Sequence, residues 1–458
     1  MQLAVGRPGF GIEVVACCIG RCHAGGVAVW RPRRTSAASI GRQTMTRMTR
    51  RGALGGMAAG GAVLAMPRIA RSQQPEIKVA LVAPLSGPWG RSGQLMKIGC
   101  DLGIEDINAQ GGVRLPGGAK IRLVTADAGD SVERAKNAAQ RLVAQEPDVV
   151  AGTGAWLSSF TLAVTEVTER AHLPWLTLSY ADPITARGFH YIIQTNTVSS
   201  EQAKKAMPAV LDLAQAATGA RPKTVAIIAD GTATPKAFLD PLRQGGFDRL
   251  GLTLITDQVY TPPLSDATSM VQAIRSARPR PDFILFYSSN LPDATIILQK
   301  LHEFGLPQTR IPLVAPGAVH LGAPEVLKNV TADLLEGTIM IVANWTSKRQ
   351  DDLLPGLTRR SGEPWLTSDA ISSYGDMWLI KDAIERAGSV DREKVMAALR
   401  ATNTTTGPAR YYLGDRLQFD ENGRRIGGAV VMVQWRDGKP LTVSPAADAF
   451  VAPRWPHQ

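Results

Sequence analysis

The chain has 458 residues, 44% of them apolar, and a formal net charge of +11. Its length exceeds the roughly 250 to 300 residues at which a single core stops growing, so more than one lobe is expected. Eleven arginines against the single acid Glu13 put +10 of the charge in residues 1–74 and leave +1 for the remainder. A nucleic-acid partner therefore loses its support, because phosphate affinity needs a basic surface on the folded part.

Residues 1–44 carry no periodic pattern and read as a disordered extension ahead of a start at Met45 or Met48. Thr49-Arg50-Arg51-Gly52-Ala53-Leu54, the mildly apolar run Gly55 to Met66, Pro67 and Ala70-Arg71-Ser72 make residues 45–74 a predicted twin-arginine export signal, with cleavage near Ser72. A short buried helix behind chance arginines is the other reading, and the run is too short to span a bilayer. Cys17, Cys18 and Cys22 with His23 have poor spacing for a tetrahedral metal site, so no metal and no cofactor is expected. Cys100 is left as a buried apolar residue.

Ile77 to Gly112 is the stretch from which the organisation follows. Lys78 to Ala83 is apolar on both faces, as a strand covered by helices on both sides must be. Pro84 and Ser86-Gly87-Pro88 break it, and a helix through Leu95, Ile98, Leu102 and Ile107 stops at Gly111-Gly112. The same rhythm gives strands at 120–127, 147–152, 173–178 and 191–195, with helices at 130–144 and 158–171 between them. After a helix over 200–217 it begins again, with strands at 224–229, 252–259, 282–287 and 312–315 and helices at 236–250, 267–277 and 294–304. Strands alternating with helices of ten to fifteen residues mean right-handed crossovers and doubly wound sheets. A strand at 338–342, helices at 366–387 and 390–399, and a hairpin and final strand ending at Asp437-Gly438 complete the chain; Ser444 to Gln458 reads as a mobile end.

These residues carry a resemblance. Ser86-Gly87-Pro88 with Gly93, Asp106-Ile-Asn108-Ala-x-Gly-Gly112, Gly154-x-x-x-Ser158, Pro183-x-Thr185-Ala-Arg-Gly188, Glu336-Gly337 and Phe419-Asp420-x-x-Gly423 occur in the order found in branched-chain amino acid periplasmic solute-binding proteins. The chain resembles that family from about Glu76 to Lys439. The resemblance implies an α/β fold of two Rossmann-like lobes joined by three crossovers, a type I periplasmic binding protein with its ligand in the cleft between lobes. It implies crossings near Val198, Asp333 and Ala409, so that 76–198 and 333–408 form lobe 1, 199–332 and 409–442 lobe 2, and 443–458 a flexible tail. It further implies a monomeric periplasmic receptor for a small-molecule ligand, with the membrane permease subunits of an ABC importer as partners.

Carried over residue by residue, the ligand's carboxylate falls on Ser158, Ser179 and Ala181, and Ser158 opens a helix whose free N–H groups favour an anion. Its other reading is a simple N-cap. Trp89, Ser92, Trp156 and Tyr180 lie in the first-lobe binding loops, their rings offering stackable walls; Trp345 is a further aromatic candidate. On the second lobe the resemblance puts Thr234 where an aromatic is common and Leu264 where an acid would meet an ammonium. Asp230, Asp266 or Asp369 could supply that charge from elsewhere, and without it a free amino acid is a poor ligand, because an unpaired buried ion is costly. The solute is thus expected among amino acids, amides and aromatic or aliphatic carboxylates.

No Gly-x-Ser-x-Gly elbow, His-Glu-x-x-His pair or phosphate loop is present, and His172, His190, His302 and His320 are scattered and read as structural or exposed. An enzyme is not expected. A soluble sensor feeding a membrane signalling partner is the alternative, since this fold serves receptors and regulators alike.

Overall fold

A computed structural model describes residues 75–308 and 310–455. The predicted extension, the export signal and the Cys17–His23 group lie outside the described residues. Five parallel strands, β1 (Glu76–Ala83), β2 (Lys120–Asp127), β3 (Ala151–Gly154), β4 (Trp175–Thr177) and β5 (Ile192–Gln194), form the first sheet in the order β2-β1-β3-β4-β5. The second series supplies β6 (Thr224–Asp230), β7 (Thr253–Tyr260), β8 (Phe283–Tyr287), β9 (Leu313–Pro316) and β10 (Ile339–Val342). Three short strands follow, β11 (Asn403–Thr404), β12 (Leu417–Phe419) and β13 (Arg425–Ile426), then β14 (Val431–Arg436) and β15 (Lys439–Ser444). The second sheet runs β15-β14-β10-β9-β8-β6-β7, parallel from β10 to β7 and antiparallel at the β14 and β15 edge.

Burial follows strand position. Central β6 and β8 are buried along nearly their whole length, whereas the edge strands β2 and β7 alternate toward solvent. Continuous apolar runs are what a parallel strand covered by helices on both faces requires. Helix Lys236 to Leu250 is shorter than predicted: it spans Ala233–Pro241, and the chain then turns through Gly245 at φ +92° before a last helical turn at Phe247–Arg249. Pro241 and the glycine pair account for the break.

Two of the expected crossings lie later in the chain. β10 still belongs to the second sheet, since Ile339 pairs with Val314 on one side and Gln434 on the other. The return to the first lobe is made by the helix Ser368–Ala387, which packs against the helix Gly90–Ala109 so closely that a Cβ on Gly99 would lie 2.1 Å from the Ala370 carbonyl oxygen. The third crossing comes after β13 rather than near Ala409: Arg424 bridges Gln194 on β5, and Gly423 donates no side chain where the Ile192 carbonyl presses on it. Crossing segments one and three run side by side, Thr197 Oγ1 donating to the Ala429 carbonyl at 2.9 Å, and Asn344 in the second donates to Ser372 Oγ and the Tyr411 carbonyl, both at 3.0 Å.

The expected mobile end is packed as far as Trp455. β15 makes a hairpin with β14, the Trp455 ring meets Phe283 edge-on at 6.1 Å, and buried Asp448 takes a two-pronged bond from Arg349 at 2.7 and 2.6 Å. Burying an indole and pairing a buried carboxylate with a guanidinium hold this segment down despite its prolines. Among the described residues no helix is long and apolar enough to cross a membrane.

Candidate functional site

Strand ends and the loops after them converge between the two sheets. In the first lobe, β1 passes into Pro84–Pro88 and a 3-10 turn, Gly87–Trp89. Asp127, at the end of neighbouring β2, fixes this loop by accepting from Leu85 N at 2.9 Å, Ser86 Oγ at 2.7 Å and Gly129 N at 2.8 Å. Burial opposes the charge on Asp127, but these three donors outweigh it and hold its carboxyl below the usual range.

β3 ends in a strained corner. Gly154 has φ +126°, with the Val82 carbonyl oxygen 2.0 Å from where a Cβ would stand, and Ala155 and Trp156 follow at φ +68° and +48°. Two consecutive non-glycine residues in the left-handed region cost of order 1–2 kcal/mol each. The turn delivers Trp156 to the cleft, where its Nε1 donates to Asp369 Oδ1 at 2.9 Å, and then starts the helix Ser158–Arg170. β4 delivers the third loop, Leu178 to Ala181.

The second lobe faces these loops with the start of the helix Ala233–Pro241 after β6, with Tyr287, Ser288 and Ser289 at the end of β8, and with Gly317, Val319 and His320 after β9. Together they line a small cavity of about 40 Å³. Two hydrogen bonds cross directly from lobe to lobe at this place: Thr234 Oγ1 donates to Ser158 Oγ at 2.7 Å, and Trp89 Nε1 to the Ser289 carbonyl at 3.0 Å.

Of the residues singled out from sequence, Trp156, Ser179, Tyr180 and Thr234 line this cavity. Ser158 and Ala181 stand just behind it. The Ser158 hydroxyl does not cap its helix, whose N-cap is Leu157; it accepts from the Ala181 N–H at 3.1 Å and from Thr234. The Ser179 hydroxyl is engaged by protein, donating to the Trp156 carbonyl at 2.7 Å and lying 2.6 Å from Thr161 Oγ1. Trp89 packs edge-on against Phe160 at 5.5 Å and bridges to the second lobe. Ser92 lies beside the Asp369 side chain and favours its charged form. Trp345 is fully buried against Gly322 and is not a cavity wall, and Leu264 serves through its backbone N–H, which Asp293 accepts at 3.0 Å.

Of the three acids that could face an ammonium, Asp369 is the one that lines the cavity. Asp266 is exposed and bonded to Thr268, and Asp230 is buried beneath Thr232, whose N–H it accepts at 2.9 Å. Burial raises the Asp369 carboxyl to about 7, and Trp156 and Ser92 only partly offset it. At neutral pH this group stands between charged and protonated, able to meet either an ammonium or a carboxylate.

Sequence reasoning missed His320 and Tyr287. His320 was read as one of four scattered histidines, yet it is 5% exposed in the cavity wall and neither ring nitrogen has a hydrogen-bond partner in the protein. Burial alone pushes its pKa down to about 3, so the imidazole is neutral. Tyr287, 2% exposed, likewise presents a hydroxyl with no bond in good geometry, the Ser199 hydroxyl lying beside it. The available signal was position, since Tyr287 ends β8 and His320 lies in the loop after β9, at the strand ends where open α/β sheets bind ligands. Among the described residues no group of three or more His, Cys, Asp or Glu side chains is placed to hold a metal ion.

Against known proteins, a family profile described as periplasmic binding protein matches residues 76–440. The Leu/Ile/Val-binding protein homolog 7 of Brucella melitensis biotype 1 is 26% identical over 394 residues, covering 83% of this chain and 94% of that protein. Among solved structures, the branched-chain amino acid transporter substrate binding protein LivJ of Streptococcus pneumoniae, in complex with isoleucine, superposes with a TM-score of 0.67 at 19% identity, covering 81% of this chain and 100% of its own. A solute binding protein of an ABC transporter from Rhodopseudomonas palustris BisB5, in complex with 3,4-dihydroxybenzoic acid, gives a TM-score of 0.67 at 19% identity, covering 83% and 99%. At these identities the superpositions establish the fold.

Proposed function

The chain belongs to the periplasmic binding protein family, and we propose that it is the extracytoplasmic solute-binding receptor of an ABC importer. In this reading a monomer in the periplasm encloses one small organic molecule by closure of its two lobes and presents the closed form to membrane permease subunits. The observation that carries it is the placement of the cavity: about 40 Å³ between the two sheets, walled by strand-end loops from both and bridged by direct lobe-to-lobe hydrogen bonds. A site so divided binds best when the lobes are together, so binding energy drives closure, and exclusion of water strengthens every polar contact inside.

The solute is an amino acid, an amide or an aromatic or aliphatic carboxylate. The names of the relatives support the amino-acid and aromatic-acid parts of this range: Leu/Ile/Val-binding proteins by sequence, and structural neighbours complexed with isoleucine and with a dihydroxybenzoic acid. Trp156 and Tyr180 supply apolar ring surface, Ser179 and Thr234 line the cavity with hydroxyls, and Ser158 and the Ala181 N–H stand just behind it at the start of the helix Ser158–Arg170, where an anion is favoured. Trp89 and Ser92 flank that group, one reaching across to the second lobe and the other steadying Asp369. Recognition of this kind requires no reaction step.

The test is a thermal-shift screen of the purified protein, unfolded and refolded to strip copurified ligand, against branched-chain amino acids, amides and aromatic and aliphatic acids. A ligand at a hundredfold excess over Kd adds about 2.7 kcal/mol, a clear rise in melting temperature. No shift with any member of these classes would refute the assignment.

A further inference from the structure

Resting on that receptor reading, we infer that His320, with the Tyr287 hydroxyl beside the same cavity, forms a second-lobe subsite for a neutral hydroxyl at the far end of a carboxylate ligand, making the solute a hydroxy acid. His320 is the observation that carries this. It is nineteen-twentieths buried, lines the cavity, and has no protein partner on either ring nitrogen. Leaving a buried polar group unsatisfied is costly, so a residue held in that condition at a ligand cavity is positioned for a ligand atom.

The loop that carries it is rigid. Trp365 Nε1 donates to the Gly322 carbonyl at 2.6 Å, Trp435 Nε1 to the Leu321 carbonyl at 3.0 Å, and Trp345 packs so tightly on Gly322 that a Cβ there would stand 2.3 Å from its ring. Three indoles thus hold the two residues after His320, and the imidazole cannot easily swing away to find another partner. Preorganisation of this kind is what a discriminating site needs.

The chemistry follows from the inventory of that wall. Thr234, Tyr287, Ser288, Ser289, Val319 and His320 carry no carboxylate, and the Ser288 hydroxyl is occupied by Tyr260 Oη at 2.9 Å while the Ser289 hydroxyl lies 3.0 Å from Thr232 Oγ1. A ligand ammonium at this end would meet no carboxylate among the lining side chains of the second lobe, since Asp230 lies beneath Thr232 and Ser289 and is not part of the wall. The neutral imidazole offers one donor and one acceptor, and the phenol both. A hydroxyl, itself donor and acceptor, satisfies them without bringing an unpaired charge into the cavity.

The experiment is calorimetric titration of the purified, refolded protein with matched probes: benzoate and 4-hydroxybenzoate, hexanoate and 6-hydroxyhexanoate, and 4-(aminomethyl)benzoate as the ammonium control. In at least one pair the hydroxylated member should bind 10-fold or more tighter than its parent. His320→Phe, which keeps a ring of similar size but no nitrogen, should erase that preference, His320→Gln should restore part of it, and Tyr287→Phe should reduce it while removing a single oxygen. Parent acids that bind as tightly as their hydroxylated partners, a preference that survives His320→Phe, or an ammonium probe that matches 4-hydroxybenzoate overturns the subsite and leaves the receptor reading standing. Failure of every carboxylate, plain or hydroxylated, to bind overturns the subsite, and joined to failure of amino acids and amides it overturns the receptor reading as well.

Discussion

The two walls of the cleft differ in how their polar atoms are spent. On the first-lobe wall nearly everything is engaged: Trp156 Nε1 with Asp369, Ser179 Oγ with the Trp156 carbonyl, and the Ala181 N–H with Ser158. On the second-lobe wall, His320 and the Tyr287 hydroxyl are not. The first wall is a framework whose hydroxyls would have to exchange partners to take the proposed ligand, and its strained corner at Gly154 to Trp156 fixes where the indole stands. The second wall carries no charged side chain and keeps two groups unpartnered, so under the proposed reading it would add selectivity at little rearrangement cost.

The sharpest way to break the first wall is at its corner. Gly154→Ala forces a Cβ to within 2.0 Å of the Val82 carbonyl oxygen at φ +126° and should cost about 3–5 kcal/mol of stability, read as a large drop in urea midpoint; a loss under 1 kcal/mol would show that the corner is not rigid. Next comes Asp369. Burial holds its carboxyl at about 7 against 3.8 for the ordinary group, so the folded chain keeps a proton that the unfolded chain releases. The stability it confers is therefore present below pH 4 and lost as pH rises from about 4 to 7, of order 2–4 kcal/mol in all. Buried Asp376, raised to about 6 despite bonds from Thr153 and Tyr412, adds a decline of the same sign. Asp369→Asn should flatten much of the fall between pH 4.5 and 7.5, leaving the Asp376 part; an unaltered pH profile would mean that Asp369 is not buried in solution.

Smaller effects probe the junction of the walls. Ser158→Ala should weaken solute binding by roughly 1–3 kcal/mol, measured by calorimetry, because it removes the hydroxyl shared by Ala181 and Thr234. Thr234→Val removes only the cross-lobe donor and should cost about 0.5–1.5 kcal/mol of affinity with no change in melting temperature of the ligand-free protein. Equal losses from both variants would show that Ser158 acts only as the partner of Thr234.

Much of the fold was legible because parallel strands buried on both faces must be continuous apolar runs, and Val79–Ala83 and Val225–Ala229 are. β15 was not, since an edge strand containing Pro440 shows no such run, and the packing of Trp455 depends on Phe283, distant in sequence. The late crossings were hidden for the same reason: that β10 lies between β9 and β14 is a fact of pairing, invisible in composition. Around the cavity, Trp156, Ser179, Tyr180 and Thr234 could be placed beforehand because they lie in the loops or helix start that follow strands, Ser179 also through the motif resemblance. His320 has no local signature. Its place in the cavity wall arises from the β9 loop and three indoles that tertiary structure brings to it.

The central claim is closure on a solute. Small-angle X-ray scattering of the refolded protein, alone and saturated with whichever acid raises its melting temperature, tests it directly. The account predicts a smaller radius of gyration on saturation, and a Thr234→Val protein that reaches the closed value only at higher ligand concentration. An unchanged radius of gyration with ligand demonstrably bound would contradict it.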